Sequence, residues 1–355
     1  MSRPYSTLIM GASYGSLLAA KLMLAGHSVK LACLPEEAEL INREGFRVRL
    51  PVRGREAPIE LDSRDLPGAV SADTPDRIDP GKFDLVALAM QEPQYRAAAV
   101  RGLLSQVAAL KLPCMSIMNM PPLPYLARIP GLSIAELKPC YTDPSVWDGF
   151  DPGCVTLASP DPQAFRPPEE PVNVLQVGLP TNFKVSRFAS EKHTAILHQM
   201  AADIDAARFD APEGPIELPV KLRVHDSLFV PMAKWSMLLT GNYRSIQPDG
   251  VRSIRDAVHG DLERSRAVYE WVGEVCKALG ASEADLVPFQ KYADAAKGLQ
   301  KPSSAARAVN GGARDIERVD CLVKRVAAQL GMQSPLIDEI AAVVDARLEG
   351  NRKES

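Results

Sequence analysis

The chain has 355 residues, of which 46% are hydrophobic and 24% charged, and its formal net charge is −3. The composition is ordinary for a globular protein, and so small a net charge offers no general attraction to nucleic acid or to a membrane. Small molecules and other proteins are therefore the expected partners. A chain of this length exceeds what one hydrophobic core usually organises, so two domains are expected.

Cysteine use and the apolar runs both favour a cytoplasmic protein. The six cysteines are scattered without a C-x-x-C pair, and the first residues do not resemble a cleavable signal. We expect these cysteines to be reduced thiols. The apolar run over 17–25 is interrupted by Lys21 and falls short of the roughly 20 residues that a membrane-spanning helix needs.

The first third of the chain alternates strand and helix patterns in the way a parallel sheet with crossover helices requires. The predicted elements, in chain order, are a strand at 6–10, a helix at 15–25, a strand at 28–33, a strand at 83–90, a helix at 94–110 and a strand at 112–120. Continuous apolar runs of strand length are typical of strands covered on both faces. This pattern predicts an α/β, doubly wound, Rossmann-like domain.

The pattern changes in the middle of the chain. The proline-rich stretch "SPDPQAFRPPEEP" lies between the strand candidates "GCVTLAS" and "VNVLQVG", which predicts a hairpin with an irregular connection at the sheet edge. Beyond residue 219 the predicted elements are helices at 221–240, 255–279, 283–297, 312–330 and 335–348. We therefore predict a Rossmann-like domain over 1–215 and an all-α domain over 216–355.

The stretch "LIMGASYGSLLAA" follows the first predicted strand and has two interpretations. As G-x-S-x-G it matches the turn that presents the nucleophilic serine of α/β-hydrolases, which would make Ser13 the nucleophile. A hydrolase turn follows a later strand of its sheet, whereas this one follows the first. The second interpretation is a modified G-x-G-x-x-G, the phosphate turn of a dinucleotide-binding unit.

A dinucleotide turn has to reverse the chain tightly, expose backbone amides to a pyrophosphate and let the helix pack closely on the strand. Gly11 and Gly15 can meet the first two needs, and Ser16 or Ala19 is small enough for the third. Ser13 replaces the middle glycine, so we expect the Ser13 and Tyr14 amides to contact the pyrophosphate, with a serine hydroxyl assisting. The predicted cofactor-binding residues of this turn are Gly11, Ala12, Ser13, Tyr14, Gly15 and Ser16. The alternative is a strand-to-helix turn that binds nothing.

The end of the second strand usually marks the choice between NAD and NADP. A carboxylate there holds the ribose 2′-hydroxyl of NAD, whereas a basic residue accepts the 2′-phosphate of NADP. This chain has Cys33 and Leu34 at that point, followed by Pro35, Glu36 and Glu37. Neither pattern is satisfied, so the residues leave the cofactor open.

Several segments together resemble the ketopantoate reductase (2-dehydropantoate 2-reductase) family. "LIMGASYGSLLAAKLMLAGHSVKLACL", "INREGFRV", "FDLVALAMQEPQYRAA" and "MNM" resemble its N-terminal domain. "PMAKWSMLLTGNYRSI" resembles its lysine helix, and "SSAARAVNGGARDIERVDCLVKRVAAQLGMQSPLID" resembles its closing helices. The likeness is thin between residues 120 and 215. It implies reduction of a 2-oxo acid with NADPH rather than NADH. By analogy with reductases that pair through a helical second domain, a homodimer is expected.

The resemblance assigns roles to the lysine helix. Lys234 falls at the lysine that gives a proton to the substrate carbonyl oxygen, and an ammonium group suits that task as a general acid. Asn242 falls at an asparagine that binds substrate, and on a helix its eight-residue spacing from Lys234 places both on one face. Leu238 replaces a second family asparagine, which argues against ketopantoate itself as the substrate.

Further residues are assigned outside that helix. Ser303 falls at a substrate-binding serine and Asp315 at a substrate-binding glutamate, and a two-residue slip would choose Ser304 or Glu317 instead. The alternatives are purely structural roles: an N-cap for Ser303, salt bridges within a helix for Asp315 and Glu317, and a helix C-cap for Asn242.

Two residues of the first domain complete the prediction. Asn119 falls at an asparagine near the nicotinamide and the substrate. Gln91 lies at about the position of a cofactor-binding lysine, so a positive charge is missing there.

Three other functions stay open from the residues alone. An opine-type dehydrogenase fits the spacing of "GASYGS" better, but no histidine is well placed for its histidine-acid pair. A serine hydrolase would use Ser13, and a non-catalytic protein would bind a dinucleotide without turning it over. The five histidines have no metal-site spacing, so no metal is expected.

Overall fold

The computed structural model describes residues 3–353. Its strands are β1 Ser6–Met10, β2 Ser28–Ala32, β3 Arg47–Leu50, β4 Ile59–Asp62, β5 Val70–Asp73, β6 Leu85–Leu88, β7 Cys114–Ile117, β8 Val155–Ser159, β9 Gln163–Phe165, β10 Val174–Leu179, β11 Phe183–Ser186, β12 Phe209–Ala211, β13 Gly214–Ile216, β14 Leu222–His225, β15 Ile246–Gln247 and β16 Gly250–Val251. Its helices are α1 Ala12–Leu24, α2 Pro35–Glu44, α3 Ala98–Ala109, α4 Leu123–Leu126, α5 Ile134–Leu137, α6 Glu191–Ala206, α7 Lys234–Met237, α8 Ile254–His259, α9 Leu262–Ala278, α10 Phe289–Ala296, α11 Ser304–Asn310, α12 Val319–Gln329 and α13 Pro335–Lys353.

The chain divides into two compact units. The first, the sheet unit, consists of the residues up to Met90, Gln94–Tyr125 and Ser145–Asp226. The second, the helical unit, consists of Gln91–Pro93, Leu126–Pro144 and the residues from Ser227 onward. Each unit is therefore assembled from segments that are distant in the sequence.

The sheet unit is built on an eight-stranded sheet in the order β14-β11-β8-β7-β6-β1-β2-β5. The six neighbouring strands β8, β7, β6, β1, β2 and β5 are all parallel. In the central pairs, Ser6 lies opposite Ser28 and Thr7 opposite Leu85. The strand order reverses between β1 and β6, so the next crossover runs in the opposite direction there. The doubly wound, Rossmann-like prediction is confirmed.

Helix α1 is buried along its length, apart from Ser13 and Tyr14 in its first turn. A second sheet, in the order β4-β3-β10-β9, lies against the helix, which also packs on β1 and β2. Leu17, Leu18, Leu22 and Met23 are all at most 1% exposed. An all-round apolar helix has to be buried, and here two sheets bury it. In residues 3–353, none of the helices combines the length and apolarity needed to cross a membrane.

The hairpin predicted around the proline-rich stretch was wrong. β8 pairs with β7 in the interior of the central sheet, while β10 pairs with β3 and β9 in the second sheet. β8 is buried at all five positions, as a strand covered on both faces should be. Asn173 fixes β10 beside β3, because its Nδ2 donates to the Gly45 carbonyl at 2.8 Å. The stretch between them belongs to the second sheet through β9.

The helical unit consists mainly of α7 to α13, which confirms the helical second region; its only strands in the described residues are the two-residue β15 and β16. Four predicted helices differ from the structure. The 255–279 prediction is two helices, α8 and α9, and in the 283–297 prediction the α-helix begins only at Phe289. The start of the 221–240 prediction is strand β14, which pairs parallel with β11, and the helix begins only at Lys234. The 312–330 prediction begins at Val319, after a non-helical segment over 313–318.

Candidate active site

The turn between β1 and α1 can be formed only by glycine at its first position. Gly11 has φ +104°, a conformation that strains any residue with a side chain. A Cβ on Gly11 would lie 2.7 Å from Met90 Cγ and 2.9 Å from the Ala89 carbonyl oxygen. The Gly11 amide is held by a 2.9 Å bond to the Ala32 carbonyl, so the turn is fixed between the ends of β1, β2 and β6.

The first turn of α1 begins directly after Gly11 and presents Ala12, Ser13 and Tyr14. The first amides of a helix have no intrahelical acceptor, and the helix dipole favours an anion beside them. Ser13 is exposed, and no acidic residue lies in this turn. The backbone of this segment therefore offers donors without a competing negative charge, which is what a phosphate requires.

Gly15 performs the close-packing task that the sequence analysis gave to Ser16 or Ala19. A Cβ on Gly15 would lie 2.5 Å from Ile9 Cγ2 and 3.3 Å from the Ala89 side chain. Ser16 is buried, and its hydroxyl donates to the Ala12 carbonyl inside the helix. Of the two serines, Ser13 is the one whose side chain reaches the surface.

Tyr14 links the turn to the proline-rich stretch. Its hydroxyl donates to the Pro162 carbonyl at 2.7 Å, and its ring meets Phe183 edge-on at 6.0 Å. Burial, with a contribution from Asp161, holds the pKa of the Tyr14 phenol well above its usual value. The side chain is thus a neutral, fixed group, and only the Tyr14 backbone amide is available to a ligand.

An ion pair that the sequence analysis missed lies just beyond β2. Arg166 follows β9 and donates to the carboxylate of Glu37, in the first turn of α2. The Glu37 side chain is 11% exposed and the Arg166 side chain 28%. Burial and the Glu37 charge raise the pKa of the neighbouring Cys33 thiol to about 12, so this cysteine stays protonated. Arg166 was missed because it is 129 residues from Glu37 in the chain.

The parallel strands bring further predicted residues to the same sheet edge. Gly11 follows β1, and the half-buried Asn119 comes shortly after β7. Gln91, three residues after β6, belongs to the helical unit. Ligands of such sheets bind beyond the carboxyl ends of the strands, where the strand order reverses. That point here lies between β1 and β6, beside Gly11.

Lys234 is the first residue of α7 and is half-buried between the buried residues Ala233 and Trp235. The helix does not continue regularly. Residues Leu238–Asn242 form a π-helical turn, in which the Tyr243 amide donates to the Leu238 carbonyl at 2.9 Å. A π turn advances each residue by a smaller angle than an α-helix does, so it brings Asn242 closer to the face of Lys234. Such turns often occur at functional sites.

Tyr292 of α10 and Gly241 of the π turn stabilise this irregular geometry. The Tyr292 hydroxyl donates to the Met237 carbonyl at 3.1 Å, where the α-helical bonding changes to π bonding. Gly241 leaves room for that hydroxyl, because a Cβ there would collide with it. The sequence contains no local sign of this arrangement, since Tyr292 lies 55 residues from Met237.

Asn242 and Ser303 meet, but through the backbone of Asn242. The Ser303 hydroxyl donates to the Asn242 carbonyl at 2.8 Å and accepts from the Ala306 amide at 3.0 Å as the N-cap of α11. Ser303 is 2% exposed. The Ser303 hydroxyl proton is therefore bonded within the protein. The half-buried Asn242 side chain takes no part in this contact, and its substrate-binding role stays a prediction.

Of the two candidate carboxylates, Glu317 is the more buried. Asp315 pairs with Arg352 at 3.1 Å, whereas the backbone of Glu317 is held by Tyr243, whose hydroxyl donates to the Glu317 carbonyl at 2.5 Å. The same hydroxyl accepts from the Val319 amide at 2.9 Å, which keeps this segment out of the helix. Burial, reinforced by neighbouring negative groups that include Glu317, raises the pKa of Tyr141 well above its usual value. Glu317 thus lies near the neutral phenol of Tyr141. Its backbone also contacts Tyr243, the residue that follows Asn242.

The geometry does not favour a serine nucleophile at Ser13. The strained position of the turn is Gly11, while Ser13 lies inside the first turn of a helix. His27 accepts from the Tyr5 amide at 3.0 Å and pairs with Asp203, and His259 contacts the Ala293 carbonyl, so both are engaged elsewhere. No cluster of metal-ligating side chains occurs in residues 3–353.

The sequence by itself matches no known family model. No curated protein matches it either.

Solved structures are similar to the chain over nearly its whole length. The 2-dehydropantoate 2-reductase of Methylococcus capsulatus matches with a TM-score of 0.68 at 15% identity, covering 99% of this chain and 98% of that one. The dimeric ketopantoate reductase of Staphylococcus aureus matches with a TM-score of 0.62 at 12% identity, covering 98% and 99%. A D-mandelate dehydrogenase in complex with NADH matches with a TM-score of 0.60 at 11% identity, covering 97% and 99%. The chain therefore has the fold of the ketopantoate reductases.

Proposed function

We propose that the chain is an NAD(P)H-dependent reductase of a 2-oxo acid or a related carbonyl compound, with Lys234 as the proton donor. The observation that carries the proposal is the Gly11 turn, which opens the first helix at the reversal point of a doubly wound sheet. The full-length likeness to reductases of oxo acids supports the same reaction class.

The residues of the turn fit a dinucleotide pyrophosphate. The amides of Ala12, Ser13 and Tyr14 supply backbone donors, and the Ser13 hydroxyl adds one from a side chain. Gly11 and Gly15 let the chain approach β1 and β6 closely, so the missing middle glycine does not prevent the turn from forming. When bound, the nicotinamide group would supply the hydride that reduces the carbonyl carbon.

We propose NADPH rather than NADH as the cofactor. Arg166 and Glu37 stand together beyond β2, where the ribose of the cofactor is recognised. The guanidinium is the more exposed partner, and a planar cationic fork suits a 2′-phosphate. Glu37 orients the guanidinium and leaves part of it accessible.

Arg166→Met tests this choice. The substitution should weaken NADPH binding by about 10- to 100-fold, the loss of a charge-assisted bond worth roughly 1.5–3 kcal/mol, and leave NADH binding within a few-fold. Arg49→Met is the matched control, because Arg49 lies in the same sheet, is 27% exposed and pairs with Glu60 and Glu170. Equal losses for both cofactors in the Arg166 variant would contradict the assignment.

Lys234 acts on the oxygen of the substrate carbonyl. Its ammonium group polarises the C=O bond and stabilises the negative charge that develops on oxygen. It then donates a proton to that oxygen, which completes the hydroxyl group of the product. The π turn that follows orients Asn242 to hydrogen-bond the substrate.

The other predicted substrate residues define the substrate class. Asn119 is proposed to offer an amide, and Asp315 or Glu317 a carboxylate, to the substrate; burial favours Glu317. Leu238 is 3% exposed and apolar where the resemblance implies an asparagine. A 2-oxo acid with a less polar side chain than ketopantoate is therefore the proposed substrate.

The decisive experiment is a fluorescence titration with NADPH and NADH, followed by turnover assays with a panel of 2-oxo acids. Lys234→Ala should lower turnover by about 100-fold or more while cofactor affinity stays nearly intact. Lys291→Ala, at an exposed position of α10, is the control and should retain activity. Failure to bind either cofactor, or covalent labelling of Ser13 by an active-site phosphonate, would contradict the proposal.

We also propose that the protein is a cytoplasmic homodimer. The dimeric ketopantoate reductase of the same fold supports the assembly. Light scattering should give twice the mass of one chain, and the mass of a single chain at assay concentration would contradict this.

A further inference from the structure

Two cysteines of the helical unit lie side by side although they are 181 residues apart in the sequence. Cys140 ends the short 3-10 turn Lys138–Cys140, which follows α5, and Cys321 is the third residue of α12. Their sulfur atoms are 3.2 Å apart, with the Cys140 thiol donating to the Cys321 sulfur. Cys140 is buried, whereas Cys321 is partly exposed. The pair therefore has one accessible and one protected sulfur.

Positive groups surround the accessible sulfur. Cys321 lies in the first turn of α12, where the amides and the helix dipole favour a negative charge. Arg325, one turn further along α12, and Arg318, at the start of the helix, both lower the pKa of the Cys321 thiol. Arg318 is shared with Asp320 and Asp345, at 2.9 and 2.7 Å, so Arg325 is the less compensated partner.

These contacts shift the pKa values of the two thiols in opposite directions. The hydrogen bond from Cys140, with Arg318 and Arg325, lowers the pKa of Cys321 to about 6, against the opposing effects of burial and Asp320. The hydrogen bond that it gives to Cys321, together with burial, raises the pKa of Cys140 far above its usual value. The pair thus combines a Cys321 sulfur that is shifted toward the thiolate with a Cys140 thiol that keeps its proton, the arrangement of an attacking and a resolving cysteine.

We propose that Cys321 is a peroxide-reactive cysteine and that its oxidation closes a reversible disulfide with Cys140. The oxidant is hydrogen peroxide or another hydroperoxide. The proposal does not rest on the proposed reduction of oxo acids, and its test does not use that activity.

The chemistry balances in two steps. The Cys321 thiolate attacks a peroxide oxygen, a sulfur–oxygen bond forms as the oxygen–oxygen bond breaks, and the leaving hydroxide takes a proton to become water. Cys140 then attacks the sulfur of the resulting sulfenic acid; the sulfur–oxygen bond breaks, and the Cys140 proton leaves with the hydroxide as a second water. The two thiols lose two electrons, and the peroxide is reduced to two waters. The sulfurs have to approach from 3.2 Å to the disulfide length of about 2.05 Å, which side-chain rotation can supply.

The other four cysteines provide the contrast within the chain. Burial raises the pKa of each of these thiols, so each stays protonated and is a weak nucleophile: Cys33, Cys114, Cys154 and Cys276. Cys33 is the useful comparison, because it is half-buried like Cys321 but stands beside Glu37 instead of an arginine-rich helix start. Oxidation should therefore be selective.

Peptide mapping of the reduced full-length protein after treatment with near-stoichiometric hydrogen peroxide tests the proposal. We expect one intramolecular disulfide between Cys140 and Cys321, reversed by dithiothreitol, with the other four cysteines still reactive to iodoacetamide. The wild-type measurement needs no variant and so does not depend on how substitutions fold. Oxidation of Cys33 at the same rate as Cys321, or disulfides only between chains, would overturn the proposal.

Three variants sharpen the result. Cys140→Ser should leave a sulfenic acid on Cys321 that dimedone traps, and Arg325→Met should slow the oxidation several-fold, while Arg325→Lys should retain most of the rate. Circular dichroism checks that each variant is folded. Absence of a dimedone adduct on Cys321 in a folded Cys140→Ser protein would also overturn the proposal.

Discussion

The Gly11 turn and the Lys234 segment achieve their geometry in opposite ways. The turn depends on missing side chains: Gly11 and Gly15 allow the backbone to approach β1 and β6, and the proposed donors are amides. The Lys234 segment depends on side chains from elsewhere, because Tyr292 and Ser303 hold its backbone by hydrogen bonds. Tyr243, at its end, in turn holds the backbone of Glu317 and Val319. The geometry of the Gly11 turn can therefore be predicted from a short stretch of sequence, whereas that of the Lys234 segment cannot.

The largest effect should come from Gly11→Ala. The added Cβ meets Met90 and the Ala89 carbonyl at φ +104°, so the turn has to shift. The backbone amides proposed to bind the pyrophosphate shift with it. Loss of two hydrogen bonds to a charged group, each worth roughly 1.5–3 kcal/mol, should lower cofactor affinity by about 100-fold or more. Calorimetric titration with NADPH measures the loss.

Gly54→Ala is the control for this prediction. Gly54 also has a positive φ, of +84°, but no atom within 4 Å of an added Cβ. It should lose roughly 1–3 kcal/mol of stability through strain alone and retain cofactor binding. Similar cofactor affinities for the two variants would show that close approach at Gly11 is not required.

Tyr243→Phe tests the side-chain-dependent region. It removes the hydroxyl that bonds both the Glu317 carbonyl and the Val319 amide, and should lower the free energy of unfolding by about 1–3 kcal/mol. Because the segment that carries Glu317 is then released, KM for the oxo acid should rise more than KM for NADPH. Urea unfolding and steady-state kinetics provide the two measurements.

Tyr269→Phe is the matched variant, since its hydroxyl makes one bond, to the Val287 carbonyl at 2.8 Å. It should destabilise the protein without a specific change in substrate KM. If both variants changed KM for the oxo acid equally, the result would contradict a role of Glu317 in substrate binding.

Lys21 adds a pH-dependent test on the helix that begins at the Gly11 turn. Burial, with the nearby Lys221 charge, lowers the pKa of Lys21 to about 7, while its Nζ donates to the Pro219 carbonyl at 3.0 Å. Between about pH 7 and the ordinary lysine value the unfolded chain binds more protons than the folded one. The free energy of unfolding should therefore rise with pH there, by at most about 1.4 kcal/mol per pH unit from this group.

Lys21→Met should remove that contribution to the slope. The difference between wild type and variant, measured by urea unfolding from pH 7 to 10, isolates it from other titrating groups. Parallel curves for the two proteins would contradict the lowered pKa.

The smallest effect is expected for Ser303→Ala. Loss of the N-cap of α11 should cost about 1 kcal/mol of stability. Because the hydroxyl proton is engaged by the Asn242 carbonyl, substrate KM should change less than in Asn242→Ala. A larger KM effect for Ser303→Ala would restore the substrate-binding role predicted for Ser303.

Much of the first region was predicted because its determinants are local. The alternation of apolar runs predicted β1, α1 and β2, and the position of the glycines after the first strand distinguished a phosphate turn from a hydrolase turn. The likeness of the lysine segment identified Lys234 and Asn242 as candidates, and their roles remain predictions. The hairpin prediction failed because β8 and β10, although close in sequence, belong to different sheets, and β10 pairs with the short β9 that lies between them in the chain.

The sequence by itself determined the doubly wound sheet, the helical second region and the glycine turn, because strand and helix periodicities and backbone strain are properties of neighbouring residues. The tertiary structure decided which distant side chains meet. It placed Arg166 on Glu37, Tyr292 on the π turn and Cys140 beside Cys321. Such contacts join residues 55 to 181 positions apart and follow from packing, which no local pattern encodes.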